Sequence, residues 1–213
     1  MSRRPSKPRN PFAGLARFAV ILADPPWRFQ VYSEVTGSSR AASNHYAVMD
    51  LADIQSLPVA NYLAARDAAL YLWTTAPFLE KAFTVIAAWG FKYSTGLVWT
   101  KDKRGTGYWC RSQHEHLLIG RRGRFRAPKP ADRPSSVIQA PRREHSRKPD
   151  EVYQIIERAY PGLSKIELFA RHARPGWAAW GDEAPVGTAP ARIVVDGFKY
   201  EWSRDESRRC TNN

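Results

Sequence analysis

The chain has 213 residues, enough for one globular domain with a substantial core and too few for two of ordinary size. A hydrophobic content of 43% with 12% aromatics excludes a disordered polymer, and no apolar run approaches the ~20 residues of a membrane span. Lys and Arg number 33 against 20 acids, a net charge of +13, which favours a polyanionic partner because each neutralised phosphate releases counterions.

Residues 1–17 carry Arg3, Arg4, Lys7, Arg9 and Arg17, several prolines and no acid, the pattern of a flexible basic arm. The arm lacks the long apolar stretch of a signal peptide, so a cytoplasmic protein is expected. Cys110 and Cys210 are far apart and are expected as free thiols. "FAVILA" (18–23) is apolar throughout, as in a buried parallel strand. After a loop rich in Gly and Ser, "DLADIQSLPVANYL" suggests short helical turns broken at Pro58, and "AALYLW" (68–73) a second buried strand. Pro77 opens the clearest helix, with Leu79, Ala82, Phe83, Ile86 and Ala87 at helical spacing until Gly90.

"FKYSTGLVWTK" (91–101) and "HEHLLIG" (114–120) read as strands, joined by the Arg-, Gly- and aromatic-rich loop "DKRGTGYWCRSQ". "RRGRFRAPKPADRP" is too basic and too proline-rich for regular structure, and "SVIQAP" is a short strand. "KPDEVYQIIERAYPG" is a helix with Val152, Ile155, Ile156 and Ala159 on one face, and "SKIELFAR" and "GWAAWGDE" are the last strands. The expected domain runs over 18–184, with a polar extension at 185–213. Strands alternating with helices predict an α/β domain whose mostly parallel sheet carries helices on both faces. In such sheets ligands bind beyond the carboxyl ends of the strands, where Asp24 falls.

"ADPPWRF" follows the first strand directly. Pro25 and Pro26 stiffen the backbone and remove two N–H groups, leaving only acceptors beside the Asp24 carboxylate. Trp27 offers a flat face, and together these features describe a receptor for an amino-substituted ring such as adenine or cytosine. A Pro-Pro turn with a merely packed tryptophan is the plainer alternative. His114 and His116 share one strand face, but two ligands without a third at suitable spacing favour structural hydrogen bonding, and no metal is expected.

"DPPW" resembles the catalytic signature of amino methyltransferases. "LYLWTTAPFLEKAFTVIAAWGFKYSTGLVWTK", "GTGYWCRSQHEHLLIGRRG", "SRKPDEVYQIIERAYPG", "KIELFAR" and "GWAAWGDE" stand in the order seen in one adenine-N6 methyltransferase family. That family comprises bacterial and phage relatives of the catalytic subunit of the eukaryotic messenger-RNA adenosine methyltransferase. The resemblance spans about residues 18–183. It implies a Rossmann-like S-adenosylmethionine (SAM)-dependent fold in permuted order, the catalytic motif first and the cofactor motif last. It implies that Asp24 and the carbonyl of Pro25 bond the target amine, that Pro26 and Trp27 complete the catalytic shelf, and that Asp24, Lys148, Phe169, Arg171, His172, Asp182 and Glu183 contact the cofactor. The chain departs from the family in having Ala170 where Gly is frequent, Asp182 where Asn is frequent, and "KPRNPFAG" before the first strand.

Residues 92–149 hold 15 Lys and Arg against four acids. Arg104 and Arg111 flank Tyr108 and Trp109, and Arg121, Arg122, Arg124, Arg126 and Lys129 border Phe125, a mixture suited to phosphate contact and base stacking. Arg28 follows the catalytic motif, and Tyr46 is placed either against the target base or in the core. The expected activity is methylation of the adenine amine in DNA by a bacterial or phage-encoded enzyme, with RNA methylation and a catalytically silent nucleic-acid-binding subunit as alternatives. A homodimer or a partner subunit is compatible with the sequence.

Overall fold

The computed structural model describes residues 12, 15–28, 48–107, 109–144 and 147–181. Its elements are β1 (Phe18–Ala23), α1 (Leu51–Ser56), β2 (Ala64–Thr74), α2 (Leu79–Ala88), β3 (Lys92–Thr100), β4 (His114–Arg122), β5 (Val137–Gln139), α3 (Glu151–Ala159), β6 (Lys165–Leu168) and β7 (Trp177–Trp180). The strands form one seven-stranded sheet in the order β5-β3-β4-β2-β1-β6-β7. β1 pairs in parallel with β2 and β6, β6 with β7, and β3 with β5, whereas β4 runs antiparallel between β2 and β3. The mostly parallel α/β sheet expected from the sequence is thus the observed one, with β4 as the reversed strand.

Strand alternation sorts the core into two layers. Ile21, Ala23, Leu70, Leu72, Leu118, Ile166 and Leu168 face α1 and α2, while Val20, Leu22, Tyr71, Trp73, Trp99 and Leu117 face α3. Buried indoles keep their N–H groups paired: Trp89 donates to the Ile54 carbonyl and Trp99 to that of Ala140, each at 2.8 Å. α2 buries Ala82, Val85 and Ile86, and Gly90 at φ 76 turns the chain after it. Phe83 and Ala87, expected inward, point outward, and Phe83 packs edge-on against Tyr93 at 4.9 Å. α3 buries Val152 and Ile156 as expected.

The basic arm is anchored at its described positions. Phe12 is buried against Trp180 at 5.2 Å, and the Arg17 guanidinium donates to the carbonyls of Ala64 and Asn61. Arg121 and Arg122, expected in an irregular segment, end β4, and residues 130–132 form a turn of 3₁₀ helix. Residues 182–213 lie outside the described positions.

Candidate active site

β1 is where the chain order of the sheet reverses: β2, β4, β3 and β5 build out on one side and β6 and β7 on the other. That reversal opens a crevice at the carboxyl end of β1. Asp24 stands there, its N–H donating to Leu168 of β6 at 3.4 Å. Period-two alternation puts Asp24 on the face of Val20 and Leu22, towards α3. The same rule brings Trp73 of β2, Trp99 and Lys101 at the end of β3, Glu115 of β4 and Glu167 of β6 to that face and edge. β4 contributes from its amino end because it is antiparallel.

These side chains form a charge relay in space. The Lys148 ammonium lies 2.6 Å from Asp24 Oδ2 and 3.4 Å from Glu115 Oε2, and Lys101 donates to Glu115 Oε1. Indole rings floor both cations, Trp73 beneath Lys148 at 5.6 Å and Trp99 beneath Lys101 at 4.7 Å. Burial works against the Lys148 ammonium, but the carboxylates of Asp24 and Glu115 outweigh it and hold its pKa above the ordinary lysine range. Burial likewise opposes the Glu115 anion, and the two lysines prevail and hold it below its usual value. The Lys148 ammonium and the Glu115 carboxylate thus stabilise one another, as charges withdrawn from water require.

Beside this chain, Glu167 accepts the Tyr153 hydroxyl at 2.8 Å. Burial, reinforced by the nearby Asp24 charge, pushes the Glu167 carboxyl up to about 7, although the Tyr153 hydrogen bond and Arg171 and Arg174 oppose it. A carboxyl whose pKa is higher folded than unfolded binds more protons in the fold between the two values, so stability falls as pH rises through that window. Glu167→Gln should therefore gain stability relative to the parent between pH 5 and pH 8, read by urea unfolding at both. An equal difference at the two pH values would contradict the assignment.

The proline shelf is less open than its sequence suggests. The Pro25 carbonyl accepts the Trp27 N–H at 2.8 Å and the Pro26 carbonyl accepts the Met49 N–H at 2.9 Å, so each keeps one lone pair for a ligand. Trp27 is 6% exposed, stacks on Phe78 at 5.6 Å and donates its indole N–H to Trp73. These contacts fix the ring within the motif. Arg28 pairs with Asp50 at 2.9 Å on the surface.

Just past β6, Phe169 has φ 62, a left-handed conformation that is strained for a bulky residue. The turn it makes brings Ala170 N–H to the Trp180 carbonyl at 3.0 Å, and Phe169 packs on Trp180 at 5.6 Å. Arg171 is half-buried near Glu167, and His172 is exposed. Tyr46, Tyr108, Asp182 and Glu183 lie outside the described residues. Lys148 is in the site, but its resolved partners are Asp24 and Glu115.

The expected nucleic-acid residues divide between the two edges of the sheet. Arg104, Trp109 and Arg111 sit in the loop from β3 to β4, at the edge of Asp24, all exposed, Trp109 to 95%. Arg121 and Arg122 end β4, four and five residues along the strand from Leu117, which Trp73 sets level with Asp24, roughly 13–17 Å at about 3.3 Å per residue; Arg124 and Arg126 follow them. The reversal of β4 places them towards the edge opposite Asp24. Arg122 is further committed to the Ala60 carbonyl.

Glu115, Lys101, Glu167 and Tyr153 belong to the site and escape motif reading. Their signal is a charge set into an apolar alternation: Glu115 extends the Leu117 face, and Glu167 interrupts "IEL" in a buried strand. His114 and His116 face each other at 4.9 Å, and among the described residues no cluster of three potential metal ligands occurs.

Residues 18–183, which contain all these groups, match the MT-A70 family. The chain belongs to the MT-A70 family. This methyltransferase is 35% identical over 184 residues to the type II methyltransferase M.MunI of a Mycoplasma species, covering 79% of this chain and 78% of that one. It is 32% identical over 198 residues to an N(6)-adenosine-methyltransferase MT-A70-like protein of Arabidopsis thaliana, and 31% over 204 residues to the human N(6)-adenosine-methyltransferase catalytic subunit. The alignments cover 88% of this chain but 26% and 32% of those two proteins. The MT-A70 domain thus spans a small part of the eukaryotic relatives and most of the bacterial one. No helix among the described residues is long and apolar enough to cross a membrane.

Proposed function

We propose that the protein transfers a methyl group from SAM to the exocyclic amine of adenine in DNA. The observation that carries this reading is the Asp24 carboxylate at the β1 switch point, held by Lys148 with its second oxygen left for a ligand. SAM fits the donor set, because its amino acid end carries an ammonium and a carboxylate and the crevice pairs Asp24 and Glu167 with Lys148 and Arg171. The strained turn at Phe169 offers the ribose and adenine portion an aromatic edge. When bound, the cofactor supplies an electrophilic methyl on a sulfonium leaving group.

The protein's own contribution is electrostatic and geometric. The amine's lone pair is conjugated into the adenine ring, so the nitrogen is a poor nucleophile. Asp24 and the free lone pair of Pro25 accept its two hydrogens and favour a pyramidal, partly cationic nitrogen. That state develops only as the N–C bond forms, so these contacts stabilise the transition state more than the ground state. With the cofactor departing as the thioether, the surplus proton of the methylated amine passes to the Asp24 carboxylate, which already accepts that hydrogen.

DNA is favoured by M.MunI, which matches over most of its own length. RNA is the second reading, favoured by the N(6)-adenosine-methyltransferase relatives. Adenine's amine is shielded inside a duplex, so a flipped or single-stranded target is expected. The deciding experiment incubates the protein with labelled SAM and matched single- and double-stranded DNA and RNA, then identifies the methylated nucleoside. N6-methyladenine in DNA is the expected product; label in cytosine, or in no nucleic acid, would sink the reading.

Trp109 stands fully out from the loop beside the site, between Arg104 and Arg111, a stacking platform for a base next to the target. Trp109→Ala should raise KM for a single-stranded substrate by roughly 5- to 100-fold, the ~1–3 kcal/mol of one base–aromatic stack, with kcat nearly unchanged. An unaltered KM in steady-state assays would remove it from the binding surface.

A further inference from the structure

We infer that the protein has a second nucleotide pocket, on the α3 face near the edge of the sheet opposite Asp24, which takes a substrate nucleotide remote from the one being methylated. The inference rests on the reading that the substrate is a polynucleotide. A cavity of about 290 Å³ opens between β2, β4 and β3 as its floor, the carboxyl half of α3 as one wall and the loop after β4 as the other. Packing defects in native interiors rarely exceed one water, whereas this volume approaches that of small-ligand sites.

Its chemistry is that of a nucleotide receptor. Tyr71, Phe125 and Tyr160 supply aromatic surface, and the Phe125 and Tyr160 rings meet at 4.9 Å. The Tyr160 hydroxyl donates to the Arg126 carbonyl at 3.2 Å, which ties the loop to the end of α3 and keeps the two walls apart at a set width. Gly123, at φ 62, turns the loop where a Cβ would lie 2.5 Å from the Arg66 carbonyl, and Asp67 accepts the Arg124 N–H beside it. Arg121, Arg126 and Arg133 line the opening, no carboxylate does, and none of the three is ion-paired among the described residues. Cations without acids around an apolar aromatic slot complement a phosphate joined to a flat base. Arg121 lies four residues along β4 from Leu117, which is level with Asp24, and the loop carrying Arg126 and Arg133 extends beyond it, so rim and Asp24 stand roughly 13–17 Å apart along the strands, about four to five rises of ~3.4 Å. Exposed Arg142 and Arg147 stand at the Asp24 edge, Arg142 N–H bonded to Asp102 at 2.7 Å and Arg147 adjoining Lys148.

The test uses the full chain and single-stranded DNA of about 6 and about 20 nucleotides around one target adenine, lengths chosen to fall short of and to exceed the span between the sites. For the parent, kcat/KM should rise at least about tenfold from the short to the long strand, the gain expected of even one additional stacked base. In the double variant Arg126→Ala/Arg133→Ala the ratio should collapse towards one, and Phe125→Leu, which keeps volume but loses the ring, should lower it in part. The slope of log K against log salt for the long strand should fall by roughly 1.4 in the double variant, about 0.7 per phosphate contact. That measurement, by fluorescence anisotropy of a labelled strand, reads the pocket even if no methyl is transferred. An unchanged length ratio, or where nothing is methylated an unchanged salt slope and affinity, overturns the pocket; absence of methylation on every strand overturns the substrate reading instead.

Discussion

Asp24→Ala is expected to lower kcat for methyl transfer by about 10²–10³-fold, the loss seen when one preorganised group facing transition-state charge is removed. At ~1.4 kcal/mol per decade this is about 3–4 kcal/mol. Among the described residues Asp24 is the only carboxylate that both follows β1 directly and touches Lys148, so no described neighbour replaces its acceptor. SAM affinity should survive in part, because Lys148 retains Glu115 at 3.4 Å and the Phe169 turn does not depend on Asp24. Asp24→Asn keeps an oxygen acceptor and loses the charge, and should fall between the parent and alanine. Single-turnover assays with labelled SAM, alongside calorimetric SAM binding, separate the two effects. Full activity in Asp24→Ala would place the reacting amine elsewhere.

Lys148→Met should cost more in stability than any other change at the site. It deletes the cation between Asp24 and Glu115 and leaves two carboxylates facing one another, Glu115 with Lys101 and Asp24 with none. Breaking a buried pair from one side costs about 3–5 kcal/mol, or roughly 6–20 °C in Tm for a domain of this size. The sign of the pH dependence follows from the carboxylates. Without the ammonium the Glu115 carboxyl, which Lys148 helps to hold below its usual value, rises, so the variant's deficit should shrink as pH falls towards 5 and Glu115 protonates. Thermal unfolding at pH 5 and pH 8 measures this, and a deficit independent of pH would mean that Lys148 acts through packing alone. Activity should be lost at both pH values, since Asp24 loses the ammonium that positions it.

Much of the fold is legible because it depends on local pattern. The apolar runs at 18–23 and 68–73 are buried strands, and the α3 face emerges from the spacing of Val152 and Ile156. Phe83 fails the same test because helical periodicity gives a stripe wider than the face that meets the sheet, and only packing against Trp89 and β2 selects Ala82, Val85 and Ile86. Trp27 shows the converse. Its motif marks the strand end, and only the tertiary structure shows that one face of the ring stacks on Phe78.

The sequence by itself determined the family, the class of sheet, the position of Asp24 at a strand end and the excess of positive charge. Those properties reside in consecutive residues or in the composition. Tertiary structure alone decided which distant residues share the crevice. Lys148 is 124 positions from Asp24 yet 2.6 Å away, and Glu115 joins them because β4 enters the sheet reversed. The same reversal sends Arg121 and Arg126 to the far edge, although they follow Glu115 within a dozen residues. Strand direction, a long-range property of pairing, converts closeness in sequence into separation along the sheet.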